Sequence, residues 1–282
     1  MEYSSLPKII DQDIINGTKL VGDDFNQEKL EIWFKQEQEA YYQSDLKNDG
    51  DTDPWYDYMR YTNEKIGFKY LKNPRTVLVL GPGSGKEVEY IEQMYPNCKI
   101  NFLEASENFK IHLKQKFVNS KIIEPKYSGH INLSDNSQSV VFAFSVLHHI
   151  PNVSFVLKEV SRVLEPGGIL LIREPCSSMG DWRYPRSATP NERGMSKKYM
   201  LQIFNENNLE LICKPTPILF EPINKILKKY FNRLLYNVKY IYFFDKLISK
   251  VLSINDYYWR DNFFKKLGPS SYFYVVKKKH DN

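Results

Sequence analysis

Cysteine is scarce in this 282-residue chain. Cys98, Cys176 and Cys213 stand far apart and form no CxxC pair. That excludes a disulfide framework and a cysteine zinc site, points to reduced thiols in the cytoplasm, and leaves no metal expected. No apolar run approaches the roughly 18 residues of a membrane span. The first residues, MEYSSLPKIIDQD, lack both the basic n-region and the apolar h-region of a signal peptide. Repeats are also absent. A general excess of positive charge is missing too, although the net charge is +5. From Pro222 onward there are 13 Lys/Arg against 4 Asp/Glu, which leaves 26 against 30 in the rest. The basicity is one local element, so a nucleic-acid-coating surface and DNA binding are not expected.

Aromatics are plentiful, with 20 Tyr and 17 Phe, and hydrophobic residues make up 42%. A sizeable core can be built. Residues 1–70 carry helical rather than strand patterning: Leu30, Trp33, Phe34 and Tyr41 recur near helical spacing, and WYDYMRYTNEKIGFKYL reads as a second helix. This segment is expected to form a helical cap, with Trp33, Trp55, Tyr56 and Tyr58 covering a ligand site.

From Arg75 the pattern changes. TVLVL (Thr76–Leu80) is a continuous apolar run of the kind a buried parallel strand requires. A helix is expected over Lys86–Met94, a strand in KINFLE and a helix in NFKIHLKQKF. A weaker third strand is placed near Tyr127–Ile131 and a strand over Val140–Ser145. A helix over Val153–Leu164 and a turn at EPGG follow, then a strand over Gly168–Glu174. Alternation of this kind implies a doubly wound, mostly parallel α/β sheet. After a polar loop over 175–195 come a helix (Ser196–Asn207), a strand in LELICK, a basic aromatic helical stretch (Pro222–Leu252) and a terminal strand, SYFYVVKKK.

The glycine loop LGPGSGKE joins the first strand to the next helix. A phosphate loop of the Walker type needs glycine where Leu80 stands and Ser or Thr where Glu87 stands, so that reading fails at both ends. The dinucleotide fingerprint fails at Lys86, which takes the place of the third glycine. The pattern present is GxGxG, at Gly81, Gly83 and Gly85.

Gly81, Gly83 and Gly85, followed by FSVLHHI (Phe144–Ile150) and LKEVSRVLEPGGILLIREP (Leu157–Pro175), resemble the corresponding segments of class I S-adenosylmethionine-dependent methyltransferases. The resemblance covers about Arg75 to Pro175. It implies a Rossmann-like, seven-stranded sheet whose last strand is antiparallel. The helical N-terminal extension and a helical insert before the last strand would be additions. The implied divisions are 1–70 as cap, 71–221 as cofactor-binding core, 222–268 as insert, and 269–282 as final strand and tail.

The resemblance also implies S-adenosyl-L-methionine as cofactor. Gly81, Pro82, Gly83, Ser84 and Gly85 would approach its amino-acid end, with a helix N-terminus favouring the carboxylate. Glu104 would grip the ribose hydroxyls, with Ala105 beside it. His130 and Ile131 would stand where the adenine is bound, and Phe144 and Ser145 would close the cradle.

The methyl acceptor must be aligned and, if it is a hydroxyl, deprotonated. His148 and His149 titrate near working pH. Glu174, at the end of the fifth strand, faces the same mouth. These three are the candidate bases. In GDWRYPRSATPNERG, Asp181, Trp182, Arg183, Arg186 and Arg193, with Arg173 just before, form a candidate acceptor-binding set. Arginine forks favour an anionic acceptor.

Expected, then, is O-methylation of an anionic small molecule or glycan precursor, at a hydroxyl or phosphate-type oxygen, with surface polysaccharide modification as the context. RNA or protein methylation, and a non-catalytic cofactor-fold protein, are the alternatives. The stretch 222–252 has an apolar stripe at Ile226, Leu227, Tyr230, Leu234, Leu235, Val238, Ile241 and Ile248, with Lys and Arg between. It suits packing on the domain or a second subunit, or a basic amphipathic membrane contact.

Overall fold

A computed structural model describes residues 9–45, 54–181, 189, 191–219 and 238–280. Trp182, Arg183, Arg186 and the first half of the basic stretch lie outside the described residues, as does the side chain of Trp55.

Three helices open the chain: α1 (Gln12–Asn16), α2 (Gln27–Asp45) and α3 (Pro54–Ile66). The α/β core follows as β1 (Thr76–Leu80), α4 (Ile91–Met94), β2 (Lys99–Leu103), α5 (Glu107–Lys116), β3 (Lys121–Ile123), β4 (Gln138–Phe144), α6 (Val153–Val163) and β5 (Leu164–Pro175). Then come α7 (Lys197–Glu206), β6 (Leu209–Leu211), β7 (Thr216–Ile218), α8 (Val238–Leu252), α9 (Phe263–Lys266) and β8 (Ser271–Lys278).

The strands form one sheet in the order β3-β2-β1-β4-β5-β8-β6, with β7 also paired to β8. Strands β1 to β5 are mutually parallel, and β8 runs antiparallel to β5, β6 and β7. Side chains alternate across the sheet. Leu78, Val141, Leu170 and Tyr274 enter one core, under α6 and α7. Val77, Val79, Phe142, Leu171 and Phe273 enter the other, under α3 and α5. Both faces are covered, so the central strands read as unbroken apolar runs. Helix α6 buries Val153, Val156, Leu157, Val160 and Val163. Each such side chain contributes about 1.5–3 kcal/mol.

Four expectations need correction. The sheet has eight strands rather than seven, because the strand opposite β8 is broken. Leu211 pairs with Val276 and Thr216 with Phe273, so four residues bulge past two. Pro215 and Pro217, which cannot donate to a ladder, flank the resumption. The third strand is Lys121–Ile123, not Tyr127–Ile131. Ile122 and Ile123 pair with Phe102 and Leu103, whereas Ile131 is a buried core residue whose N–H goes to Glu159 at 3.0 Å. The turn at EPGG is a bulge within β5, since register shifts between Gln138 and Val140.

Finally, the helix expected from Lys86 begins only at Ile91. Between them run single turns: Gly85 N–H to Pro82 O, Val88 N–H to Gly85 O, and Ile91 N–H to Val88 O. The segment directly after the glycine loop is therefore not a helix N-terminus.

Candidate functional site

A cavity of about 570 Å³ lies at the carboxyl ends of β1, β2 and β4, with α2 over it. In an open α/β sheet this is where ligands bind. Its wall is built from three strand exits. At the end of β1, Gly81 and Gly83 have φ of +52° and +55°. A Cβ on Gly81 would lie 2.3 Å from Val146 Cγ2. Both the backbone angle and the space demand glycine there.

At the end of β2, Glu104 accepts the Gly83 N–H at 3.1 Å and the Ser106 N–H at 2.8 Å. It thereby ties the glycine turn to the second strand while lining the cavity. At the end of β4, Ser145 has φ +55°. Its N–H donates to Arg173 O at 2.8 Å, and Arg173 donates to its Oγ at 3.1 Å.

Beyond Ser145 the chain turns through a single 3-10 turn, Leu147–His149. Glu174 is buried and organises that turn. One carboxylate oxygen accepts from Val146 N–H (2.8 Å) and Leu147 N–H (2.7 Å), and the other meets His148 Nδ1 at 2.7 Å. His148 Nε2 faces Glu192 at 3.3 Å. Burial alone would lower the His148 pKa, but the two flanking carboxylates outweigh it and raise the value to about 9.

The neighbouring His149 is opposite. Burial lowers its pKa, the charge of His148 lowers it further, and Glu37, at 2.9 Å from Nδ1, only partly compensates. His149 is therefore neutral at pH 7 and lies on the cavity wall. Glu37 arrives from α2, which is latched a second time by Trp33 Nε1–H donating to His149 O at 2.7 Å. The other Glu37 oxygen, Oε1, is buried with no hydrogen-bond partner.

The structure thus brings Gly81, Gly83, Glu104, Ala105, Ser145 and His149 to one cavity. His130 lines a smaller adjoining cavity of about 80 Å³, and its Nδ1 lies 2.8 Å from Glu159. Other expected residues lie elsewhere. Pro82, Ser84 and Gly85 are off the wall, and Gly85 backs onto Phe117 and Leu113. Phe144 stacks on Phe142 within the core. Ile131 is fully buried. Glu174 and His148 pair with each other inside the protein, so neither is placed as an acceptor base.

Arg173 is 2% exposed and forms a bidentate pair with Glu87, both bonds at 2.8 Å. Arg193, also buried, donates to the carbonyls of Val21, Ile150 and Pro151 and lies over Trp33. Neither arginine is placed to meet an acceptor. Asp181 is half-buried at the edge of the described loop.

Sequence reasoning passed over Glu37, Phe34 and Phe109, all on the wall. A signal for Glu37 existed: it follows Leu30 and Trp33 on the buried stripe of α2, and a carboxylate on an apolar stripe needs a partner. His148, His149 and Glu192 form the one grouping among the described residues that could hold a metal ion, with ligand atoms within 4.8 Å of one another.

The raised pKa of His148 has a stability consequence. An unfolded imidazole titrates near ~6.5, so stability from the protonated, doubly paired ring is fully present below that pH. It is lost as pH rises toward about 9. Urea midpoints are expected to fall between pH 6 and pH 9. His148→Gln should flatten that decline; an unaltered decline would refute the assignment.

Among the described residues, the wall of the 570 Å³ cavity carries four carboxylates, Glu37, Glu39, Glu104 and Glu107, and no Lys or Arg. That lining repels a pyrophosphate and suits a ligand with cationic centres and hydroxyls. The parallel sheet with an inserted antiparallel strand, the glycine turn and the acidic second-strand exit define the class as a Rossmann-like methyltransferase fold.

The comparisons with known proteins agree. Residues 78–172 match the methyltransferase-domain family, which supports the resemblance to class I S-adenosylmethionine-dependent methyltransferases and S-adenosyl-L-methionine as the cofactor. A thiol S-methyltransferase of Rattus norvegicus is 30% identical over 115 residues, which are 39% of this chain and 46% of that protein. A trans-aconitate 2-methyltransferase of Rhodopseudomonas palustris is 24% identical over 106 residues, 38% of this chain and 41% of that one. The chain thus spans less than half the length of these curated relatives. Among solved structures, coclaurine N-methyltransferase bound to N-methylheliamine and S-adenosylhomocysteine superposes with TM-score 0.54 at 14% identity, covering 91% of this chain and 89% of that one. The MccD protein superposes at 0.52 and 16%, covering 81% and 100%. At these identities the structures speak to the fold alone.

Proposed function

We propose that the protein is an S-adenosylmethionine-dependent methyltransferase that methylates a hydroxyl of a small-molecule or glycan-precursor acceptor, using His149 as the base. The neutral His149–Glu37 pair on the cavity wall carries this reading. Bound in the cavity, the cofactor supplies an electrophilic methyl group. Glu104 accepts the two ribose hydroxyls with lone pairs not used by Gly83 and Ser106. The Gly81–Gly83 backbone gives close approach to the amino-acid end. Phe34 and Phe109, both on the wall, exclude water. His149 takes the acceptor proton on its imidazole, and Glu37 fixes the ring and stabilises the imidazolium. Glu37 Oε1, buried and unpartnered, is satisfied by a donor on the bound ligand.

An anionic acceptor belongs to the same proposal through Arg183 and Arg186 of the 175–195 loop, since Arg173 and Arg193 have internal partners. A thiol acceptor is the second reading: it too loses a proton on methylation, and the rat relative bears that activity in its name.

Calorimetry with S-adenosylhomocysteine is expected to show binding, with Glu104→Ala weakening it by about 10- to 100-fold through lost charge-assisted hydrogen bonds. Labelled S-adenosylmethionine with a panel of sugar nucleotides, phosphorylated metabolites, trans-aconitate and thiols then identifies the acceptor. Failure of both cofactor forms to bind would overturn the proposal in favour of a non-catalytic role.

A further inference from the structure

Helix α8 turns a second apolar face away from the domain. Its buried positions include Asp245 and Ser249, which hydrogen-bond each other at 3.0 Å. Asp245 also accepts the Tyr58 hydroxyl and, at 2.9 Å, the Leu219 N–H. These bonds pin α8 against α3 and β7. The face turned outward is apolar: Tyr240 is 67% exposed, Phe243 62%, Phe244 57%, Leu247 55%, Ile248 40% and Val251 61%. Those positions recur as i, i+3, i+4, i+7, i+8 and i+11, so they form one continuous stripe.

Beyond the helix, Ile254 (90%) and, on α9, Phe263 (69%) and Phe264 (77%) are exposed as well. An amphipathic helix of a water-surrounded protein buries its apolar stripe and exposes its polar one. Here Asp245 and Ser249 face the domain beside Ile241 and Tyr242, and a second apolar stripe faces out. An exposed apolar surface of this extent marks an interaction site.

The charges beside it select the partner. Lys239, Lys246 and Lys250 recur at i, i+7 and i+11, which sets them in a row along one flank of the stripe. Lys265 and Lys266 stand next to Phe263 and Phe264. The three acidic residues between 238 and 268 are accounted for internally: Asp245 is buried, Asp256 pairs with Lys197, and Asp261 pairs with Lys265. No described helix is long and apolar enough to cross a membrane.

We propose that the α8–α9 face is a membrane-docking surface that lies in the interface of an anionic lipid bilayer, aromatics inserted and lysines against the headgroups. A basic flank, an aromatic stripe and a length short of spanning are the features of an interfacial helix. A second copy of the chain suits the surface less well, because pairing like faces would bring two lysine rows together.

Co-sedimentation of the full chain with phosphatidylcholine vesicles, with and without phosphatidylglycerol, tests this. Binding is expected to the anionic vesicles and to weaken as salt rises. Lys246→Gln/Lys250→Gln should reduce partitioning roughly 30-fold, and Phe243→Ser/Leu247→Ser by at least about tenfold. S-adenosylhomocysteine binding, measured on each variant, shows that the fold persists. No binding to anionic vesicles, or binding that both variants leave unchanged, overturns the proposal. Self-association in solution that Phe243→Ser/Leu247→Ser abolishes, without vesicle binding, would also overturn it and assign the face to a second copy.

Discussion

His149→Ala is expected to lower kcat by about 10²–10⁴-fold, the usual contribution of a positioned general base, with affinity for S-adenosylhomocysteine changed by only about twofold. The acid limb of the pH profile is the sharper readout. Burial and the neighbouring His148 charge hold the His149 pKa below the ordinary imidazole value. The base is thus unprotonated at pH 7, and kcat/KM should fall only as the pH drops through that depressed value. Glu37→Gln removes the larger of the two carboxylate contributions that raise it, leaving only the more distant Glu192. The acid limb should then move to lower pH while kcat drops, because the ring is no longer oriented. In His149→Gln the limb should vanish. A His149→Gln enzyme with full kcat and an intact acid limb would show that the acceptor needs no base. An acceptor already ionised at pH 7, such as a carboxylate, would behave in that way.

How much of this was legible beforehand depends on the range of each interaction. TVLVL could be read as a buried strand with its bounds, because a strand covered on both faces writes its environment into consecutive residues. The glycines of the loop could be read too: positive φ at Gly81, Gly83 and Gly85 is a local backbone demand. Glu104 could be placed because a strand's end is a short-range signal.

What failed were inferences about partners. Arg173 read as an acceptor fork, but Glu87, 86 residues away, occupies it. Arg193 sits among three backbone carbonyls, and carbonyl positions leave no mark in a sequence. Glu174 and His148 both read as bases and turn out to satisfy each other. The two adjacent histidines illustrate the limit well. They share a turn and stack at 3.9 Å between ring centroids. Their opposite shifts follow from how the carboxylates reach them: Glu174 and Glu192 both hydrogen-bond His148, whereas only Glu37 bonds His149 and Glu192 acts on it through space. Residue type gave the chemistry available, and only the fold assigned it.

Arg173→Leu is expected to cost about 3–5 kcal/mol of stability, the toll of removing one partner from a buried ion pair. The reason lies in what remains. Glu87, on the turns after the glycine loop, would keep its charge in a pocket where its side chain is only 14% exposed. Asn63 would lose a donor to its carbonyl at 3.3 Å, and Ser145 a donor to its hydroxyl.

Glu87→Leu alone should be comparably harmful, because it strands the guanidinium. Combining Arg173→Leu with Glu87→Leu should recover much of the loss, since a pair of apolar side chains leaves no uncompensated charge. Arg173→Lys should not rescue, because an ammonium cannot reproduce two parallel hydrogen bonds. Urea unfolding of the four proteins forms the cycle. The double variant, though stable, should still bind S-adenosylhomocysteine more weakly. Ser145 holds its positive φ beside the cavity, and Arg173 is one of the groups that hold it there. A double variant no more stable than Arg173→Leu would show that the arginine acts through packing on Phe144 rather than through its charge.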